Sequence, residues 1–343
     1  MFTSAVIIIL FFFPILVFSD NIHMADDHAP ISVMSDHIHR KGEFMISFRT
    51  SSMEMKGLYN GNSSVSISDA MSLPNGSSTS TGTYMNAPTS MSMTMYMFGG
   101  MYAPSNNLTL LLMGNYQQKE MTQERMAMSG GARFDVNSQG FGDLVFGGLL
   151  SVKNKNDIKM HIGSGISFPT GSINQRDASP VSSDARLGYR MQNGSGTFDP
   201  YFLLNTIKES QKVKFGSQLS YKIRLGGNND NGYHYGNLFQ SKFWFSYNLV
   251  NHLSSSFKVT YKNLAKMNGK DNEMNTRMSP VMDAGNNGFQ KILLGFGLNF
   301  INNQKRLKGH RLGFEFIKPV FQKFNRIQMS EDYRLVLGWQ YAF

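Results

Sequence analysis

The sequence predicts an all-β chain, a transmembrane antiparallel β-barrel of about twelve strands, with both termini in the periplasm. Three observations predict it. Apolar and polar residues alternate with period two along most of the chain, short connections alternate with long ones, and the last strand ends in an aromatic residue.

The alternation is clearest over 213–225. Val213, Phe215, Leu219, Tyr221, Ile223 and Leu225 share one face, and Lys214, Gln218, Ser220, Lys222 and Arg224 share the other. The pattern repeats at Phe243, Phe245, Tyr247 and Leu249 against Gln240, Lys242, Ser246 and Asn248. It returns at Phe257, Val259 and Tyr261 against Lys258, Thr260 and Lys262, and at Ile292, Leu294, Phe296 and Leu298 against Lys291, Gly295 and Gly297. Strands are expected at 43–57, 90–103, 107–121, 141–153, 157–169, 198–208, 213–226, 238–250, 253–265, 289–302, 309–321 and 332–343. The connections after the second, fourth, sixth and eighth strands are short, and the one after the tenth is moderate. Those after the odd-numbered strands are mostly longer and rich in Gly, Asn, Ser and Asp. Transmembrane barrels combine short periplasmic turns with longer external loops and an even strand number. A soluble β-sandwich also alternates, but it does not account for an aromatic-rich apolar face on nearly every strand.

The final strand places Leu335, Leu337, Trp339, Tyr341 and Phe343 on one face. This resembles the C-terminal signal read by the outer-membrane assembly machinery, so that machinery is an expected partner through Phe343. At the other end, Val6–Phe18 is almost wholly apolar and small Ser19 follows. The run is shorter than the ~20 residues of a helical span, so 1–19 reads as a signal peptide. The expected organisation is a signal peptide at 1–19, a His/Met-rich periplasmic segment at 20–42 and the barrel at 43–343.

Composition agrees with export to a Gram-negative outer membrane. Mean hydropathy is slightly negative, as a half-apolar barrel strand requires. Cys is absent, so stability must come from the hydrogen-bonded sheet and packing rather than disulfides. The net charge of +10 would suit nucleic acid in a cytoplasmic chain. In an exported one it suits a pore lining or lipopolysaccharide phosphates, and nucleic acid is not an expected partner.

Several segments resemble the outer-membrane family named for the meta-pathway of phenol degradation. They include Gly140-Phe141-Gly142-Asp143, the stretch from Gly165 to Gly171, and Gly194-Ser195-Gly196-Thr197. His28-Ala29-Pro30, the stretch from Asp36 to Glu43, Ala87–Met91 and Met101–Pro104 add to the likeness. The resemblance implies an outer-membrane barrel with a role in the passage of small molecules.

Two groups of residues are candidates for function. On the polar faces, Arg49, Lys214, Lys222, Arg224, Lys242, Lys258, Lys262, Lys291, Arg311 and Arg334 would line a basic lumen, with Glu315 as the main acidic counterweight. Charge in a confined pore sets ion preference, which points to diffusion of an anionic or aromatic acid solute. The second group is His23, Met24, His28, Met34, His37 and His39 in the N-terminal segment, with Met45, Met53 and Met55 on the luminal face of the first strand. Imidazole and thioether suit copper, so the alternative reading is a soft-metal-linked barrel. The bland counterpart is a solvated tail with Met as packing filler. The facing of Met91, Met93, Met95 and Met97 is ambiguous from sequence. A third reading is a structural surface barrel with a plugged lumen. No catalytic motif is present: the scattered His161, His234, His252 and His310 match no triad, so no enzyme is expected and no cofactor beyond the copper alternative.

Overall fold

The computed structural model describes residues 25, 28–76, 82–155, 157–210, 212–302 and 308–343. The signal-peptide expectation at 1–19, and His23 and Met24, fall outside them. Twelve strands form one closed antiparallel barrel: β1 (Phe44–Asn60), β2 (Asn86–Ser105), β3 (Leu108–Arg125), β4 (Leu144–Lys155), β5 (Ile158–Phe168), β6 (Asp199–Glu209), β7 (Val213–Lys222), β8 (Leu238–Val250), β9 (Leu253–Leu264), β10 (Phe289–Asn302), β11 (His310–Phe324) and β12 (Ile327–Ala342). Each strand pairs with its sequence neighbours, and β12 closes on β1 from Met45 opposite Ala342 to Asn60 opposite Ile327. Phe44 and Phe343 exchange two backbone hydrogen bonds of 2.8 Å at the seam. Closure leaves no open sheet edge, which hydrocarbon would not tolerate.

The outer surface carries the apolar faces. Phe48 is 44% exposed, Phe296 55% and Leu337 53%, while Arg49 on the opposite face is 4% exposed and Lys258 2%. Greasy side chains outward and charged ones inward is the inverse of a soluble protein and fits a lipid-facing wall. The chain is therefore a transmembrane barrel of the bacterial outer membrane.

The connections from β2 to β3, β4 to β5, β6 to β7 and β8 to β9 are short, and the strand ends they join lie at the end of the barrel where the chain's C-terminus sits. Most connections at the other end are long. Two features differ from the expectation. The turn between β11 and β12 is tight, with Arg326 at φ 60°, because both strands run further than the alternation suggested. β1, β2 and β3 also extend, to 17, 20 and 18 residues, beyond the ~9–11 that span a bilayer. The strand Arg133–Phe141, unpredicted, pairs with the far half of β3 and extends this wall.

The segment before β1 is not a solvated tail. Residues 28–41 fold into the barrel from the short-turn end. The Lys41 N–H donates to Asn106 Oδ1 at 2.9 Å and the Gly42 N–H to the Ala103 carbonyl at 2.8 Å. A turn closed from Val33 N–H to the Pro30 carbonyl (2.8 Å) projects Ile31 into the wall. Ile31 is fully buried on Leu293, Ile317 and Val336, while Ala29 and Val33 pack on Ile207 and Trp244. The plug's backbone finds partners on barrel side chains, as buried peptide groups must. Asn205 Nδ2 donates to the Asp36 carbonyl (2.9 Å), Gln218 Nε2 to that of Met34 (2.9 Å), and Ser254 Oγ to that of Ala25 (3.0 Å). The Ser32 N–H donates to Glu315 Oε2 at 3.1 Å and the His39 N–H to Thr109 Oγ1 at 3.0 Å.

Candidate functional site

The lumen holds two chambers stacked above this plug. The central one, about 330 Å³, is floored by Ser32, Met34 and Ser35 of the plug. One wall presents Met53, Met93, Met95, Met97 and Met113 from β1, β2 and β3. The facing of the methionines on β2 is thus luminal. The other wall presents Lys242, Lys258 and Lys262 from β8 and β9, with Arg49 and Arg334 near the seam. Alternation puts these cations inside, because each sits one residue from a lipid-facing aromatic or aliphatic side chain.

The outer chamber, about 420 Å³, shares Met53 and Met93 with the central one and adds Lys119, Asp143, Lys222 and Arg224. Its roof is the segment around Tyr189–Met191, folded inward from the β5–β6 loop. Tyr189 and Met191 are buried, and Lys119 Nζ donates to the Gln192 carbonyl (2.6 Å) while Ser138 Oγ donates to that of Met191 (2.7 Å). Deeper in the loops Arg186 pairs with Asp271 at 2.7 Å. Both ends of the barrel are therefore covered.

Ion pairing sorts the predicted cations. Lys258 meets Glu315 at 2.5 Å, Lys291 and Arg334 meet Glu331 at 3.2 and 2.8 Å, and Lys214 meets Glu209 at 3.4 Å. Arg224 pairs with Asp199. Lys291 also lies 4.9 Å from the Phe289 ring centroid. Among the described residues, Arg49, Lys222, Lys242, Lys262 and Arg311 form no ion pair. Arg311 instead donates to the Ala29 carbonyl of the plug and, at 2.6 Å, to Asn299 Oδ1. Lys242 donates to Gln218 Oε1 at 2.8 Å. The structure therefore brings Arg49, Lys242, Lys258, Lys262 and Arg334 into one chamber. It places Lys222 and Arg224 in the other, Lys291 towards the loops, and Lys214 and Arg311 towards the plug end.

Sequence reasoning found Glu315 but missed Glu331 as the second acidic partner. Glu331 lies in what alternation alone left as a loop. The plug anchors Asn205, Gln218 and His161 also escaped it, since an uncharged polar residue on an inward face gives no sign of what it touches.

The predicted His/Met group is dispersed. Met45 is buried beside the plug, Met53 joins the chambers, and Met55 lies in the hydrophobic cluster nearer the loops with Met91 and Met121. The histidines converge instead. The His28 and His37 rings are 4.7 Å apart edge to face, and the His37 and His39 rings 4.6 Å. His37 Nδ1 lies 2.9 Å from Asp36 Oδ1, and His39 Nδ1 3.3 Å from Glu43 Oε1. Burial works to raise the Asp36 carboxyl, but His37, His28 and Arg311 hold it well below the usual range. Burial likewise opposes ionisation of Glu43, yet His39 and the Arg40 N–H bring it to about 2.

No curated protein matches the chain. Among solved structures, the COG4313 outer membrane channel from Pseudomonas putida F1 superposes with a TM-score of 0.61 at 11% identity, covering 91% of this chain and 100% of that one. A deltaS2 mutant of the TodX monoaromatic hydrocarbon channel is a looser likeness, with a TM-score of 0.45 at 10% identity over 90% of this chain and 92% of that one. The model of the family described as "Putative MetA-pathway of phenol degradation" matches residues 68–305, from the first long loop through β10. The chain belongs to that family.

Proposed function

We propose that this barrel is an outer-membrane channel for small organic anions with an apolar body, such as aliphatic or aromatic carboxylates. The long loops face outside and both termini face the periplasm. The observation that carries the reading is the two-sided central chamber. Arg49, Lys242 and Lys262, which form no ion pair among the described residues, face a wall of methionine thioethers. A confined cationic wall attracts an anion, and a soft, adaptable thioether wall accepts varied apolar shapes. A volume near 330 Å³ suits a solute of modest size, at the small end of ligand sites. Solute would pass the outer chamber, cross between Met53 and Met93, and leave when the plug swings aside.

The test is reversal potential in planar bilayers under a salt gradient, with benzoate or hexanoate added on one side. Anion preference and millimolar block of the chloride current are expected. The double variant Lys242→Gln/Lys262→Gln should lose at least fivefold in block. Cation preference, or equal block in wild type and variant, would overturn the proposal.

A further inference from the structure

We propose that the plug carries a binding site for a divalent transition metal, Zn²⁺ or Cu²⁺, formed by His28, Asp36 and His37. This stands independently of the solute reading. The three residues each offer one ligand atom, and these atoms all lie within 4.8 Å of one another. Ligands ~2.1 Å from a tetrahedral ion sit ~3.4 Å apart. The measured spacings bracket that: His37 Nδ1 is 2.9 Å and His28 Nδ1 3.9 Å from the Asp36 oxygens. Small rotations of surface-reachable side chains complete the geometry, since His28 and His37 are 16% and 20% exposed. Asp36 is held in place by the Ala29 N–H at 2.8 Å, so the carboxylate is fixed before any ion arrives.

An arriving ion would displace the proton now shared between His37 Nδ1 and Asp36 Oδ1, which lie 2.9 Å apart. Two imidazoles and a carboxylate suit the borderline ions Zn²⁺ and Cu²⁺.

Binding would tie residue 28 to residue 37 and close the loop that bears Ile31 and Val33, the part of the plug wedged into the wall. The site is thus placed to stiffen the floor of the lumen.

The experiment is a Zn²⁺ titration of the whole detergent-solubilised protein against a chromophoric chelator. One equivalent per chain is expected, with affinity falling at least thirtyfold in His28→Ala/His37→Ala and unchanged in His252→Ala. Wild-type binding no tighter than that of the double variant would overturn the proposal. Should the variant not fold, Co²⁺ added to wild type gives a second reading. Intense tetrahedral d–d bands support the site, and the faint spectrum of hydrated Co²⁺ refutes it.

Discussion

Replacing Ile31 by alanine should unseat the plug. Ile31 is fully buried against Leu293, Ile317 and Val336. The wall is shaped for it: a Cβ on Gly338 would come within 2.5 Å of Ile31 Cγ1, and one on Gly313 within 2.7 Å of Ile31 Cβ. Ile31 therefore occupies the space two missing side chains leave. Truncating such a residue costs about 2–5 kcal/mol. At about 1.4 kcal/mol per tenfold, the docked-to-undocked ratio falls by roughly 25-fold to several thousand-fold. The chain has no Cys, so Ser32→Cys supplies a unique label on the plug face that floors the central chamber. Its reaction with a membrane-impermeant maleimide should accelerate by that factor in an Ile31→Ala background, with open probability in bilayers rising alongside. Gly338→Ala should act in the same direction by crowding the same space, at about 1–3 kcal/mol. Equal labelling rates with and without Ile31→Ala, in barrels that keep their heat-modifiable migration, would refute the idea that this contact holds the plug.

Glu315→Gln should lower barrel stability by about 3–5 kcal/mol, because it strands Lys258 as an uncompensated buried cation; Lys258→Met/Glu315→Leu should recover most of the loss in urea unfolding. Met53→Trp should cut conductance several-fold by filling the passage between the chambers, while Met55→Trp, in the cluster nearer the loops, should show as lost stability. The Glu43 carboxyl is depressed to about 2 when docked, so its contribution is full above the unfolded value of about 4.3 and is lost as pH falls from there towards 2. Emission from Trp244, which packs on Ala29 and Val33, should report that loss in a Trp339→Phe background, and Glu43→Gln should flatten the transition.

The barrel was legible because two periodic signals reinforce each other. Period-two alternation set strand facing, and with it the inward position of Lys242, Lys258 and Lys262. The short turns at 106–107 and 251–252 set the order of connections. Alternation fades where both faces are wet, which is why the outer reaches of β1, β2, β3, β11 and β12 read as loop. The plug was not legible for a different reason. Its apolar residues Ala29, Ile31 and Val33 also alternate, but the stretch is short, broken by Pro30 and crowded with His and Asp, and resembles a solvated segment. Only the complementary surface, made by residues such as Trp244, Leu293 and Gly338 from distant strands, shows that it has a place to dock.

Docking also changes what the lumen offers a solute. Five of the predicted cations are neutralised by carboxylates of the barrel whatever the plug does. Arg311 is different, because it is held by the Ala29 carbonyl, Asn299 and Gln340. When the plug leaves, Arg311 loses one partner and gains access to water, while Asn205, Gln218 and His161 are released from plug carbonyls. The plug's peptide oxygens thus stand where the carboxylate of the proposed solute would sit on its way out. Under the function proposed above, the side chains that grip the closed floor would line the open one, and their donors would extend anion preference from the central chamber to the exit. Arg311→Gln should therefore do two separable things: raise the opening rate, by loosening the plug, and shift the reversal potential of the open state towards zero. A variant that opened more often with unchanged ion preference would place the selectivity wholly in Arg49, Lys242 and Lys262.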